Sequence, residues 1–524
     1  MQGGTTGFMG RRNNLIFGLA VVGLVVLYAG IFISRPDQWF ADDTYFYLQV
    51  AWNFARGMGS TFNTIMPTNG YHPLWMLLCA LVYKVVPSKT GGVHGIAVLI
   101  SLLDGLMLWT VRRLLKQVAE DLWILAFVLL IPFCFQSQLG TEGALSGFFL
   151  ALVMLHAYEM SESPTSRTAL LFNLEAALAV LSRLDNIFIV GFVWAAVWMG
   201  MTEEARRRGR RLQLAMLPVY VVLWGGYLGS NWIYFHTLQP ISGVLKISSA
   251  VTHTLKDHFP HTAWAALIVI VVCFAVVATW KRDRFFRVVE LPFFLGVLCH
   301  GAYILLKMSS ETRWSWYYTS WILLGAVLLA RAGSVLLAER RWLVTPVSAV
   351  IVLLLAVAWV KVSYHKIYLG PDFRPSPAFN ETVYKQAGIH SAFVYDEPGV
   401  LAYYSDIRMV PLDGLMGDVA FQHDLATKGV NAVALEDDID GFIGPPVPYD
   451  EGDAKGYCEK MFLSAVKLNC VADGPGQWQV TGADIYSRVP SVAAGNLRLD
   501  QDQLVWSEKK RVAVWRIHPS VGAR

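Results

Sequence analysis

For its first 360 residues the chain alternates between long apolar runs and short polar links; after that its character changes. A membrane-crossing helix needs roughly 20 mostly apolar residues. Eleven runs fit: about 15–34, 94–111, 122–138, 143–158, 168–182, 187–201, 212–233, 262–280, 288–307, 316–337 and 342–360. A further apolar stretch, Pro73–Val86, is shorter, carries Lys84 and is closed by Pro87. Beyond 361 the runs shorten. Ala392-Phe-Val-Tyr395 and Ala432-Val-Ala-Leu435 predict buried strands, and Pro398–Tyr404 and Gly417–Lys428 predict helices between Gly and Pro punctuation. The Gly/Pro/Asp-rich stretch 437–456 predicts an exposed loop. Gln477-Trp-Gln-Val480, Leu504-Val-Trp506 and Val512–Ile517 alternate like antiparallel strands.

Charge decides whether 73–86 crosses. If it does not, there are eleven spans, and one side receives 18 basic residues of the first 360, including Arg112, Arg113 and the run Arg206–Arg211, against nine on the other. If it crosses, the bias reverses, against the positive-inside rule. The stretch is therefore read as an amphipathic or re-entrant helix within a first outer loop of about 35–93. It follows that the N-terminus is cytoplasmic, and the first span is an uncleaved anchor because no small-residue cleavage site follows it. The odd number of spans puts 361–524 outside. The expected architecture is a polytopic α-helical membrane protein of about 11 transmembrane helices (1–360), with a C-terminal extracytoplasmic α/β domain (361–524).

Composition agrees. Hydrophobic residues make up 55% of the 524 and charged ones 16%, where a soluble chain carries roughly 25% charged. That excludes a disordered chain, a coiled coil and a basic nucleic-acid binder. The net charge of +4 is the sum of +9 in 1–360 and −5 in 361–524. Cys79, Cys134, Cys273 and Cys299 lie in apolar runs, where packing is their use. Cys458 and Cys470 fall in the outer domain, where an oxidising compartment would allow a disulfide. There is no zinc spacing, P-loop or dinucleotide fingerprint.

The outer side collects polar residues close to span ends. Asp42-Asp43 opens a helical stretch, which fits either an N-cap with a first-turn carboxylate or a pair whose mutual repulsion makes a base. His72 stands in Thr68-Asn-Gly-Tyr-His-Pro-Leu-Trp75, as an interfacial hydrogen-bonder or a ligand-binding group. Glu142, in the short link Gly140-Thr-Glu142, fits a helix cap or a second site carboxylate. Arg183 and Asp185 fit a local ion pair or a site. Lys307 and Glu311-Thr-Arg313-Trp-Ser-Trp-Tyr-Tyr318 fit an interfacial belt or a cationic aromatic pocket. Asp104 and Glu175 lie within spans, as buried functional groups or as helix–helix hydrogen bonders. Carboxylates for base work, cations for phosphate and aromatics for sugar stacking together make a transferase site.

At these residues the sequence resembles the GT-C superfamily of membrane glycosyltransferases, which take a sugar from a polyprenyl-phosphate carrier. The likeness rests on Asp42-Asp43, Gly57-Met-Gly-Ser-Thr-Phe-Asn63 and Gly70-Tyr-His-Pro-Leu-Trp75, and extends more weakly to Leu139–Leu145 and Leu181–Asp185. It looks closest to the bacterial branch containing the mycobacterial terminal arabinofuranosyltransferase. The protein O-mannosyltransferases and the lipid A aminoarabinose transferase look more distant.

The resemblance implies Asp42 as general base with Asp43 close behind, and Glu142 as the second acidic position. His72 takes the place of a Lys before Pro in the aminoarabinose transferase, and neutral His is a poorer counterion. Donor phosphate is therefore assigned to Lys307 and Arg313 with His72. Tyr45, Tyr71, Trp75, Arg183, Asp185, Trp316 and Tyr317 are assigned to sugar or acceptor. No cofactor is required, though Asp42 and Asp43 are of the type that holds a divalent metal. The expected partners are a polyprenyl-phosphate-linked sugar donor, a glycan, lipid or protein acceptor and membrane lipids, with no nucleic acid. The expected activity is inverting transfer onto a cell-envelope acceptor at the outer face of a bacterial cytoplasmic membrane, with arabinofuranose as one sugar. The alternatives are a hexosyltransferase onto protein or lipid, and a transporter of lipid-linked sugars.

Overall fold

The structure is a computed structural model. It describes residues 5–119, 122–137, 139–201, 203–247, 261–307, 315–339, part of 346–364, 380–394, 399–405, 407–412, 414–444, 462–463, 466–474, 477–485, 497–500, 504–507 and 513–517.

The apolar runs form helices α1 (Thr5–Ser34), α2 (Asp42–Ala55), α3 (Pro73–Val85), α4 (Lys89–Val118), α5 (Trp123–Ser137), α6 (Gly143–Glu162), α7 (Ser166–Ser182) and α8 (Ile187–Gly200). A continuous helical run, α9 (Glu203–Phe235), follows, then α10 (Ile241–Ile247), α11 (His261–Trp280), α12 (Phe286–Lys307) and α13 (Thr319–Leu336). Six of the described stretches are long and apolar enough to cross a membrane: Phe17–Ser34, Lys89–Val118, Gly143–Glu162, Glu203–Phe235, Phe286–Lys307 and Trp316–Leu336. Four shorter apolar helices accompany them. The chain is a multi-pass membrane protein. Ten of the eleven expected spans correspond to described helices. For the eleventh, 342–360, the described positions from 346 are helical.

Local chemistry sets the helix starts. Ser88 caps α4 by accepting the Gly91 N–H, and Thr165 and Thr168 form a reciprocal capping box on α7. Pro73 occupies the first turn of α3, where its fixed φ suits the helix and no N–H is needed. The bundle is built from packed pairs: α1 and α6 on α4, α7 on α6, α12 on α8, and α5 and α11 on α13. At the α8–α12 crossing Gly296 lets the backbones touch, since a Cβ there would lie 2.6 Å from the Ile189 Cα.

The two ends of the bundle differ. At one end, Arg331 donates to Asp283 at 2.9 Å, Glu290 at 3.2 Å and the Val118 carbonyl at 2.7 Å. Arg113–Glu159 and Arg284–Glu162 pairs lie at the same end. The opposite end holds Asp42, Glu142 and Asp185. Helix α3 begins and ends at this second end: His72 meets Leu184, and Tyr83 meets Tyr403. At 1.5 Å per residue its 13 residues span about 20 Å, short of the ~30 Å hydrocarbon core. Within α7, Glu175 bonds His156 of α6 at 2.6 Å, a satisfied helix–helix contact, and Asp104 is buried in α4.

The C-terminal part is α/β. A five-stranded sheet has the order β2 (Arg408–Pro411), β1 (Ser391–Val394), β3 (Gly441–Gly444), β9 (Ala513–Arg516), β8 (Leu504–Ser507). Strands β1, β2 and β3 run parallel, and β9 joins β3 antiparallel. An antiparallel sheet holds β4 (Phe462–Leu463), β5 (Val466–Gly474), β6 (Gln477–Ile485) and β7 (Leu497–Asp500). The helices are α14 (Gly399–Tyr404), α15 (Val419–Lys428) and α16 (Val430–Glu436).

Two expectations fail here. The run Ala432–Leu435 is part of α16, not a strand: Val430, Val433 and Ala434 are buried at helical spacing after Gly429, whose φ of 81° starts the turn. Within the expected loop 437–456, Gly441–Gly444 is strand β3, with Phe442 and Ile443 buried between β1 and β9. Cys79, Cys134 and Cys273 are buried free thiols, whereas Cys299 is exposed. The expected Cys458–Cys470 pairing involves Cys458, outside the described residues.

Candidate active site

The site begins with the link 139–142 between α5 and α6. The Leu139 carbonyl accepts the Ala41 N–H at 2.7 Å and also the Thr44 hydroxyl. Gly140 sits at φ +88°, and a Cβ there would strike Thr44. A glycine at this position lets the link close against the first turn of α2. Glu142 is then folded inward, 2% exposed, and makes no side-chain cap on α6.

Around Glu142 is a buried charge network. Arg183 Nη1 donates to Glu142 Oε1 at 2.6 Å, and the Tyr47 hydroxyl donates to Oε2 at 3.0 Å. Arg183 also pairs with Asp185 at 2.8 Å, and His300 Nε2 stands 3.0 Å from Asp185 Oδ2. The guanidinium carbon lies 4.0 Å from the centre of the Tyr317 ring. Burial alone would raise the Asp185 carboxyl, but Arg183 and His300 outweigh it and hold it well below the usual carboxylate range. Burial would likewise discharge Arg183, and Asp185 and Glu142 reverse this, raising it. Burial, followed by the Glu142 carboxylate, pushes the Tyr47 phenol well up, so it remains a hydrogen-bond donor.

His72 is fixed by the same network. Its Nδ1 accepts the Leu184 N–H at 3.3 Å, and its own N–H donates to the Tyr47 oxygen at 3.2 Å. With Nδ1 accepting, Nε2 is the nitrogen that faces Glu142 Oε1, 3.7 Å away.

Beside this network lies a cavity of about 310 Å³. Asp43, Phe46 and Tyr47 of α2 form one wall, and Tyr71, His72, Glu142, Arg183 and Asp185 form the next. Ile187, Phe188, Tyr303, Trp316 and Tyr317 supply apolar and aromatic surface. The segment Gln239–Gly243 contributes Gln239, Pro240, Ser242 and Gly243, and the C-terminal domain contributes Leu415 and Met416. Asn69 pins that segment: its amide accepts the Ile241 N–H at 3.0 Å and donates to the Gln239 carbonyl at 3.3 Å.

Eight of the sequence candidates thus meet at one cavity: Asp43, His72, Glu142, Tyr71, Arg183, Asp185, Trp316 and Tyr317. Others lie elsewhere. Asp42 faces away and accepts the Gly399 and Val400 N–H groups at 2.6 and 2.9 Å. Tyr45 is buried against Tyr403 and Tyr404, and Trp75 is fully buried in the helical core, so neither ring is offered to a sugar. Lys307 is exposed at the end of α12 and does not line the cavity. Arg313 lies outside the described residues, three positions before Trp316. Among the described residues, no three His, Cys, Asp or Glu side chains cluster to hold a metal.

Sequence reading missed Tyr47, His300, the segment Gln239–Gly243 and the pair Leu415, Met416. Tyr47 carried a signal, since it is four residues after Asp43 and shares its helix face. The others are brought in by tertiary packing alone.

No protein-family model and no curated protein matches the sequence. Solved structures do match in shape. ArnT from Cupriavidus metallidurans, bound to undecaprenyl phosphate, superposes with a TM-score of 0.50 at 13% identity, over 91% of this chain and 99% of that one. The chain has the GT-C fold. Arabinofuranosyltransferase AftD from Mycobacteria gives 0.49 at 13% identity, over 96% of this chain and 40% of that one. The Archaeoglobus fulgidus oligosaccharyltransferase in the apo form gives 0.44 at 11% identity, over 81% of this chain and 69% of that one. In this chain the described cavity wall carries three carboxylates, Asp43, Glu142 and Asp185, against one guanidinium, Arg183.

Proposed function

We propose that the protein is a glycosyltransferase that moves one monosaccharide from a polyprenyl-phosphate carrier to an acceptor hydroxyl. The observation that carries this is Asp43, a carboxylate in the wall of an aromatic-lined cavity at the end of a membrane helix bundle. The GT-C fold supports it, as does the undecaprenyl phosphate bound to ArnT. The cavity volume of about 310 Å³ is at the small end of ligand pockets, roughly 300–1,000 Å³, which suits a single sugar.

The step is a single inverting displacement. Asp43 takes the proton of the acceptor hydroxyl, whose oxygen forms a bond to the anomeric carbon. The bond from that carbon to the phosphate oxygen breaks, and polyprenyl phosphate leaves with the electron pair. A phosphate leaving group is stable as an anion, so no general acid is needed. Asp43 replaces Asp42 as the base in this reading, because both Asp42 oxygens already accept N–H groups. Arg183 is neutralised by Glu142 and Asp185, so leaving-group charge falls to Arg313, with the His72 Nε2–H as a donor; Lys307 does not line the cavity and takes no part in this reading. Tyr71, Trp316 and Tyr317 hold the sugar by stacking. The transfer takes place on the outer face of a bacterial cytoplasmic membrane, with arabinofuranose or another monosaccharide as the donor sugar and a cell-envelope hydroxyl as acceptor.

The test is purified chain in lipid nanodiscs, given a panel of radiolabelled polyprenyl-phosphate sugars and envelope glycan acceptors. Label should move to an acceptor, and the product mass names the sugar. Translocation of donor without any transfer would favour a transporter and overturn this reading.

A further inference from the structure

The acidic pair divides its work between two parts of the molecule. Consecutive helical residues point about 100° apart, so Asp43 faces the cavity while Asp42 faces α14 of the C-terminal domain. Gly399 N donates to Asp42 Oδ2 at 2.6 Å, and Val400 N donates to Oδ1 at 2.9 Å. There is no room between them, since a Cβ on Gly399 would overlap the Asp42 backbone oxygen and come within 2.7 Å of Oδ2. The rest of α14 is fastened as well. The Tyr403 hydroxyl is 2.6 Å from that of Tyr83 and donates to the Lys89 carbonyl at 2.8 Å, while the Lys89 ammonium bonds the Tyr403 carbonyl. Through Gly399, Val400 and Tyr403 this six-residue helix touches α2, α3 and α4. A second glycine contact flanks the cavity: a Cβ on Gly70 would overlap the Leu415 carbonyl, beside two residues, Leu415 and Met416, of the cavity wall.

We propose that α14 is the positioning element of the active site, with Asp42 as its anchor. By holding Asp42, the C-terminal domain fixes the first turn of α2, and so the direction of Asp43. Asp42 is then a positioning residue, and the C-terminal domain is part of the catalytic apparatus. The catalytic half of this inference rests on the transferase reading; the anchor itself does not.

The experiment uses the full chain in nanodiscs and two readouts. Amide hydrogen exchange follows the peptide over 399–404 in wild type, Asp42→Ala and Gly399→Ala. Exchange there should rise at least tenfold in both variants, as expected when a locally protecting contact opens. Sugar transfer is measured in parallel. Each single variant should lose about tenfold in kcat, with the donor KM within twofold. The double variant should be no worse than the poorer single one, because both break one contact. If Gly399→Ala fails to insert, Val400→Pro removes one of the two N–H donors and takes its place. Unchanged exchange over 399–404 in Asp42→Ala overturns the anchor, and so do losses that multiply in the double variant. If Asp42→Ala is as inactive as Asp43→Asn while Gly399→Ala keeps full activity, Asp42 is the base and the proposal falls. If wild type transfers no sugar from any donor, the transferase reading fails, and the exchange result still decides the anchor.

Discussion

Arg183 and Glu142, 41 residues apart in sequence, meet at 2.6 Å with both side chains 3% exposed. Each would be costly to bury alone. Removing one partner of a buried pair leaves an uncompensated charge and costs about 3–5 kcal/mol. Arg183→Ala strands two carboxylates, Glu142 and Asp185. It should lower the thermal midpoint in detergent sharply and reduce the yield of inserted protein. Arg183→Lys should recover only part of this, since an ammonium cannot bridge both carboxylates as a fork. A wild-type midpoint in Arg183→Ala would mean that the network is not formed.

The network also has a pH signature. The folded value of Asp185 lies below its unfolded value of about 3.9. Its stabilisation is therefore complete above that unfolded value and is lost as pH falls through the folded one. The deficit of Asp185→Asn, read as a difference in thermal midpoint, should be equal at pH 8 and pH 5 and should shrink below about pH 4. A deficit already gone at pH 6 would contradict the assignment.

Tyr47 ties α2 to the network through one hydroxyl that donates to Glu142 and accepts from His72. Tyr47→Phe leaves both partners short in a buried site, at about 1–3 kcal/mol. Helical content by circular dichroism should be unchanged while the thermal midpoint drops and sugar transfer slows. Unaltered melting would show that the two bonds are not made.

Much of this was legible in the sequence because the bilayer leaves few options for a chain. Apolar length located the helices, Pro73–Val85 among them. The carboxylates and His72 gathered at one end because alternate links of an antiparallel bundle must. What escaped is directional. Asp42 and Asp43 are equivalent as letters, and only the position of Gly399 and Val400 tells them apart. Tyr45 and Trp75 carry the residue types of a sugar platform, but their helix faces point into the core. Val430–Glu436 was missed because four apolar letters fit both periods, and burial at Val430, Val433 and Ala434 decides for the helix.

The central claim is that Asp43 takes the acceptor proton in a sugar transfer from polyprenyl phosphate. The most direct measurement is the single-turnover rate of labelled sugar transfer in nanodiscs for wild type, Asp43→Asn and Asp42→Asn, with polyprenyl-phosphate affinity measured on each. A base contributes about 10²–10⁴-fold. Asp43→Asn should fall by that factor with unchanged affinity, and Asp42→Asn should fall less. Near wild-type transfer by Asp43→Asn would contradict the account.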